Sequence, residues 1–347
     1  MFDRAWAWLP LAAVWACLLP AAPQALAQAP AVPSVPSVPS VTEAREWLAR
    51  IHDAARRGNY RGTMVLAAGG SMSSSRVWHY CVGESTYERM EALDGRQQRI
   101  YRVNDEVQTL WPQERRAIVE RRDMLAPVPT TPQAVDPQAL EHYELRREGV
   151  ARVAGRDAQV FTLEPRDDLR YAQRLWADRA SGLMLRADVL GPGKGASRPL
   201  LESAAFSEIE ISPKPPADAQ AQAVPRLDGY RVQRPQAQRT QLEAEGWSLV
   251  RPPAGFRLTG CVKRTLEMPA DGAVGEPVLQ ATFTDGLAQV SLFIEPNSPS
   301  RPRSEMQAHQ GATTTVVMRR QDHWITVVGD APATTLKQLA GALERRR

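Results

Sequence analysis

Residues 85–111 read STYERMEALDGRQQRIYRVNDEVQTLW, and this stretch decides the fold. Ser85 to Leu93 favours extended backbone and runs into Asp94-Gly95, a pair suited to the left-handed backbone of a tight hairpin. Gln98 to Val103 returns, Asn104-Asp105 turns the chain again, and Val107 to Trp111 follows. Short apolar runs joined by such turns predict an antiparallel meander. The pattern extends both ways. Tyr60 to Ala68 and Arg76 to Val82 precede it, and Ala117 to Glu120 follows. Beyond a proline-rich loop, Pro127 to Pro137, come Glu144 to Val153, Ala158 to Glu164, Tyr171 to Ala177, Leu183 to Val189 and a strand near Phe206 to Ile211. Gly155-Arg156 and Ser181-Gly182 mark hairpin turns. Roughly ten antiparallel strands at regular spacing predict a large meander or partly open barrel.

Several of these strands are apolar on both faces: Leu110 stands beside Trp111, and Ile100 beside Tyr101. A sheet with one face in solvent needs apolar residues only at alternate positions. A curved sheet around an apolar hollow accounts for the excess, and so does burial under loops or a second domain. Ahead of the strands, Thr42 is the expected cap of a helix with Trp47, Leu48, Ile51, Ala54 and Ala55 on one face, ended by Gly58.

The flanks set the domain plan. At the start, Arg4 precedes the apolar run Ala5 to Ala22, and Ala25-Leu26-Ala27 offers small residues to a signal peptidase, which predicts export with cleavage after Ala27. Pro10, Pro20 and Pro23 interrupt the run and argue against a membrane anchor. Trp15, two residues before Cys17, argues against acylation of that cysteine. Residues 28–41, QAPAVPSVPSVPSV, read as a flexible Pro-rich leader. Residues 42–212 form the first domain, and 213–240, rich in Pro, Ala and Gln, a linker. Residues 241–347 form a smaller α+β domain, with a hairpin turning at Asp285-Gly286 and a second from Thr313 to Val328. Pro332 opens a final helix with Leu336, Leu339, Ala340 and Leu343 inward and Arg345 to Arg347 at its C-terminal end.

The formal net charge is +4, and arginine carries nearly all the positive charge; Lys194, Lys214, Lys263 and Lys337 are the lysines. Guanidinium groups fit phosphate and carboxylate in a fork that ammonium groups cannot make. Cys81 and Cys261 remain after cleavage, as one disulfide or as two separate buried thiols.

No catalytic constellation emerges. There is no Gly-x-Ser-x-Gly elbow, and His52, His79, His142, His309 and His323 form no metal-ligand spacing. His79, between Trp78 and Tyr80, reads as a hydrogen-bonded structural histidine. Gly191 to Gly195 lacks the phosphate-loop spacing, and Asp167-Asp168 reads as a turn. The expectation is a binding protein with no enzyme activity, metal, cofactor or nucleic-acid partner. Aromatic residues in the first domain suit an apolar ligand, and Tyr60, Trp78, Tyr101, Trp111 and Trp176 are the candidates for a lipid cavity. Arg89, Arg99 and Arg102 are the candidates for contacts to a head group or a partner.

Several strings resemble one family. Asn59-Tyr60-Arg61-Gly62-Thr63, Arg76-Val77-Trp78-His79, Glu88-Arg89 and Leu93-Asp94-Gly95 resemble the start of the RseB/MucB family. Trp176-Ala177-Asp178, Gly182 to Asp188, Pro252-Pro253-Ala254-Gly255-Phe256, Thr284 to Leu287 and Ile325 to Asp330 continue the likeness in order. The resemblance implies a periplasmic regulator of an envelope-stress sigma factor. Such a protein binds the periplasmic segment of a membrane-spanning anti-sigma factor, shields it from proteolysis, and is released by lipopolysaccharide or another lipid. It also implies a first domain similar to the lipoprotein carriers LolA and LolB, with homo-oligomer formation left open. The alternative is a periplasmic lipid or lipoprotein carrier of the LolA type, which has no need of residues 241–347.

Overall fold

The computed structural model describes residues 38–121, 136–193, 195–215, 224–265, 277–297 and 304–346. The export signal with its cleavage point after Ala27, the leader up to residue 37, most of the 127–137 loop and residues 216–223 of the expected linker lie outside the described residues. Helix α1 spans Val41–Arg57. Ser40, not Thr42, caps it: the Ser40 hydroxyl accepts from the Glu43 amide at 3.2 Å. Ala44, Leu48, Ile51 and Ala55 are its buried positions, spaced as one helical face requires.

The first sheet is built from β1 (Tyr60–Ala68), β2 (Ser71–Val82), β3 (Ser85–Ala92), β4 (Arg99–Val103), β5 (Glu106–Trp111) and β6 (Arg116–Arg121). It continues through β7 (Tyr143–Val153), β8 (Arg156–Pro165), β9 (Ala172–Asp178), β10 (Met184–Leu190) and β11 (Leu200–Ile211). A short β12 (Arg231–Gln233) completes it. The order is β12-β6-β5-β4-β3-β2-β1-β11-β10-β9-β8-β7, so β1 stitches two meanders together by pairing with both β2 and β11. The edge strands β7 and β12 do not pair with one another, which leaves a half-open barrel. Leu48 and Ile51 of α1 cover one face, packing with Tyr143, Phe161, Leu163, Leu175 and Met184.

The second, smaller α+β unit has β13 (Ala237–Arg239), β14 (Trp247–Leu249), β15 (Arg257–Thr265), β16 (Pro277–Thr284), β17 (Gln289–Pro296), β18 (Met306–Gln310), β19 (Thr313–Arg320) and β20 (His323–Gly329). Helix α2 (Ala333–Gly341) and β21 (Leu343–Arg345) end it. Its sheet runs β13-β15-β16-β17-β20-β19-β18, and β14 pairs separately with β21. Leu336, Leu339 and Ala340 of α2 pack with Trp247, Phe256, Phe283 and Ile325. The helix is shorter than expected. Leu343 is buried from a strand, and Arg345 lies over the Trp247 ring at 5.2 Å rather than capping the helix.

The expected linker is partly tied down. β12 pairs in parallel with β6, and β13 pairs with β15. Leu227, Tyr230 and Val232 pack on Tyr101, Leu110 and Ala117. Only Arg234-Pro235-Gln236 crosses from one sheet to the other as a strap. The Pro/Ala/Gln bias of the segment before Leu227 concealed these apolar anchors.

A buried ion pair joins the two units. Arg170 and Asp285 have no exposed side-chain surface, and Arg170 Nε donates to Asp285 Oδ2 at 2.8 Å. The same oxygen accepts from the Tyr143 hydroxyl at 3.1 Å. Asp285 Oδ1 takes the Leu287 and Ala288 amides at 3.0 and 2.8 Å. Arg170 also donates to Asp167 and to the Ala254 carbonyl, and stacks over Phe256 at 5.2 Å. Gly255 is required here: at φ +83°, a Cβ on it would lie 2.3 Å from Arg170 Nη2. The hairpin tip continues inward, and Leu287 joins the core under α1. A charge buried this completely costs several kcal/mol when its partner is removed. Asp285→Ala should therefore lower unfolding free energy by about 3–5 kcal/mol in urea denaturation. Glu210→Ala, which breaks the exposed Arg61 pair at 2.6 Å, should cost far less, because solvent screens that pair. Equal costs would refute the assignment of the pin.

Candidate functional site

Strand register sorts the candidate residues by face. Trp78 is opposite Arg89, Arg89 opposite Tyr101, and Tyr101 opposite Gln108, so these side chains share one face of the sheet. Tyr60, His79, Glu88 and Arg102 form the neighbouring row, on the other face. Trp111 falls on that second face too, since Leu110 beside it is opposite Arg99. The five aromatic candidates therefore do not line a single hollow.

Each has its own surroundings. Tyr60 is buried with Met64, Val77, Met90, Leu183 and Phe206, and stacks on His79 at 4.8 Å. His79 Nδ1 hydrogen-bonds to the Gly58 carbonyl at 2.7 Å and ties the end of α1 to the sheet. Burial holds its pKa down, against the opposing pull of Glu88. Half-buried Trp78 lies under Arg89 at 4.8 Å, and the same guanidinium is 5.5 Å from the Tyr101 ring. Trp111 is flanked by Arg116 at 4.0 Å and Arg96 at 5.6 Å. Trp176 packs with Ala158, Val160 and Leu185 beneath Arg186 at 4.5 Å. These guanidinium contacts use the ring faces that an acyl chain would need.

The arginine candidates also divide. Arg89 and Arg99 both reach Glu91, the latter at 3.4 Å. Arg102 is on the opposite face, 3.6 Å from Glu88, and donates to the Asn104 carbonyl at 2.6 Å. Sequence reasoning missed Arg170 and Asp285, because a turn aspartate carries no mark of a partner 115 residues away. It also missed two open grooves. One, of about 410 Å³, is lined by Arg61, Gly62, Arg76, Trp78, Glu208, Ile209 and Glu210. The other, of about 500 Å³, lies between the two units and is lined by Glu106, Glu120, Arg121, Arg234, Arg239 and Arg264 among others. Cys81 and Cys261 are separate free thiols; Cys261 is buried, and burial pushes its pKa up to about 11.

A second contact between the units is acidic. Glu202 of β11 accepts from the Ala312 amide at 3.4 Å, and Asp330, beyond β20, accepts from Thr313 at 2.8 Å. Burial raises the pKa of both, and the charge of Asp330 raises that of Glu202 further.

These features assemble on a chain that matches two family models in order. The MucB/RseB N-terminal domain covers residues 43–227, and the MucB/RseB C-terminal domain covers 241–344. This chain belongs to the MucB/RseB family. Among curated MucB/RseB relatives, the sigma factor AlgU regulatory protein MucB of Pseudomonas aeruginosa is 32% identical over 305 residues, covering 86% of this chain and 90% of the relative. The sigma-E factor regulatory protein RseB of Haemophilus influenzae is 26% identical over 310 residues, covering 87% and 91%. The solved MucA/MucB complex of Pseudomonas aeruginosa matches with a TM-score of 0.65 at 29% identity, covering 88% of this chain and 99% of that one.

The acidic contact makes a prediction for this MucB/RseB member. Both carboxyls have folded pKa values raised above their unfolded ones. Their contribution to stability is therefore full in acid and is lost as pH rises through the raised values. Glu202→Gln and Asp330→Asn should each raise Tm at neutral pH by about 2–4 °C, the response to about 1 kcal/mol in a domain of this size. The gain should vanish below about pH 4, where ordinary carboxylates protonate. Calorimetric scans at both pH values measure it, and a gain that persists in acid would contradict this account.

Proposed function

We propose that this protein is a periplasmic regulator of an envelope-stress sigma factor. It is exported by the signal at residues 1–27, binds the periplasmic segment of a membrane-spanning anti-sigma factor, shields that segment from proteolysis, and releases it when a lipid or lipopolysaccharide binds. The supporting observation is likeness along nearly the whole chain, in both family halves, to MucB, whose solved complex contains MucA. A binding role also suits the architecture, because two sheets, each packed on a main core of its own, offer a long surface to an extended peptide. A carrier of the LolA type would leave the second sheet without a purpose.

The switch is a linkage. Lipid lowers affinity for the anti-sigma segment only if the two ligands favour different arrangements of the protein. We place the lipid on the α1 face of the first sheet, where Tyr60 remains a candidate. Trp78, Arg89 and Arg99 on the opposite face then become candidates for protein contact. The purified chain should capture the periplasmic segment of its cognate anti-sigma factor in lipid-free buffer, and added lipopolysaccharide should reduce the captured amount. Failure of capture without lipid would dismiss the regulator reading. Capture that lipopolysaccharide leaves unchanged would keep the partner and dismiss the switch.

A further inference from the structure

The groove between the two units contains an under-satisfied arginine. Arg264, on β15, is 17% exposed, and it faces Glu120 of β6, which is 11% exposed, at 3.4 Å. Its other terminal nitrogen reaches Gln280 Oε1, also at 3.4 Å. Both contacts are long for a charged donor, whose bonds are ordinarily about 2.7–2.9 Å. The Nε of Arg264 is buried with no hydrogen-bond partner among the described residues. A buried donor left in this state is unfavourable unless something completes it.

The surrounding groove gathers further guanidinium groups that can meet an anion. Arg121, Arg234 and Arg239 line the same space, against Glu106 and Glu120. Arg234, on the strap, and Arg239, beyond it, are exposed, with Arg239 on β13 held by that strand's pairing with β15. The walls come from both sheets: Val119 to Arg121 from the first, Val262 and Arg264 from the second. A tetrahedral anion here can take donors from several guanidinium forks, a geometry arginine provides and lysine does not.

We propose that this groove is a binding site for a phosphate-bearing ligand, with Arg264 at its floor and Arg234 and Arg239 at its rim. Because both sheets contribute, occupancy ties the two units together at the strap. The phosphate is either a free anion or a lipid head group. The proposal deepens the lipid arm of the function above by naming where head-group phosphate is held. Its test contains no anti-sigma segment, so the two readings fail independently.

The test is calorimetric titration of the purified chain from Gln28 onward, at low ionic strength. The probes are inorganic pyrophosphate, dihexanoyl phosphatidic acid and dihexanoyl phosphatidylcholine. Saturable binding of pyrophosphate or phosphatidic acid, but not phosphatidylcholine, is expected. Binding of both anions marks a free-phosphate site, and binding of the lipid alone marks a head-group site. Arg234→Ala with Arg239→Ala should weaken binding about tenfold or more, as loss of charge-assisted bonds predicts. Arg264→Gln should do the same, and its thermal unfolding checks that it folds. Arg61→Ala with Arg76→Ala removes equal charge from the other groove and should change affinity less than about twofold. The proposal is overturned if neither anion binds saturably or if the control pair loses as much as the rim pair. It is also overturned if polyglutamate displaces the anions at lower concentration than either competes, which would mark an acidic-peptide site.

Discussion

The architecture depends on Arg170 meeting Asp285 where water does not reach. Removing a guanidinium and a carboxylate from water is expensive, and the geometry must repay it. Here every partner is supplied by a different part of the chain. Asp167 adjoins Arg170, Ala254 lies in the Pro-Pro-Ala-Gly-Phe stretch, and Asp285 is on the β16–β17 hairpin. Such a pair contributes less to net stability than to uniqueness, because any other arrangement of these segments leaves a buried charge bare. The pin also lets apolar contacts form beside it. Leu287 enters the core beneath α1 only when the hairpin tip is held, and Thr335 at the start of α2 donates to the Leu169 carbonyl at 2.7 Å.

How much of this could be read from the sequence follows the range of each interaction. The 85–111 meander was legible because turn pairs and extended runs act over a few residues. Asn104, at φ +53°, and Gly95, at φ +65°, adopt the left-handed backbone their positions predict. The two-faced strands were legible as a puzzle with two solutions. At Tyr101 and Leu110 the solution is cover by Leu227, Tyr230 and Val232, which is burial by a distant segment. Asp285 was legible only as a turn residue. Its amide contacts to Leu287 and Ala288 are local, whereas its charge partner is 115 residues away. The end of α2 misled because Leu343 is apolar at the right helical spacing while being buried from a strand.

The arginine content has a structural use that composition alone did not suggest. Trp47, Trp78, Trp111, Trp176 and Trp247 each lie beneath a guanidinium. A planar cation stacks on an aromatic face and keeps its edge free for a carboxylate, as Arg89 does with Glu91. At half-buried Trp78 and Trp111 such pairs cover sheet surface without a second hydrophobic layer. They also separate the aromatic residues into individual braced sites, so a surface rich in tryptophan is here a poor guide to an apolar cavity.

The contacts between the two units are unequal, and that inequality is what a ligand can use. The Arg170 pin is fully hydrogen-bonded and gains nothing from a ligand. Glu202 and Asp330 bring two half-buried carboxyls to the interface, and their raised pKa values weaken it at neutral pH. Arg264 has a buried donor with no partner among the described residues. A ligand shifts an arrangement only by the difference in its affinity for two states. Satisfied contacts supply no such difference, whereas strained or incomplete ones do. The pin is therefore the fixed junction, and under the proposed function the acidic contact and the arginine groove are where protons or anions would change how firmly the halves hold together.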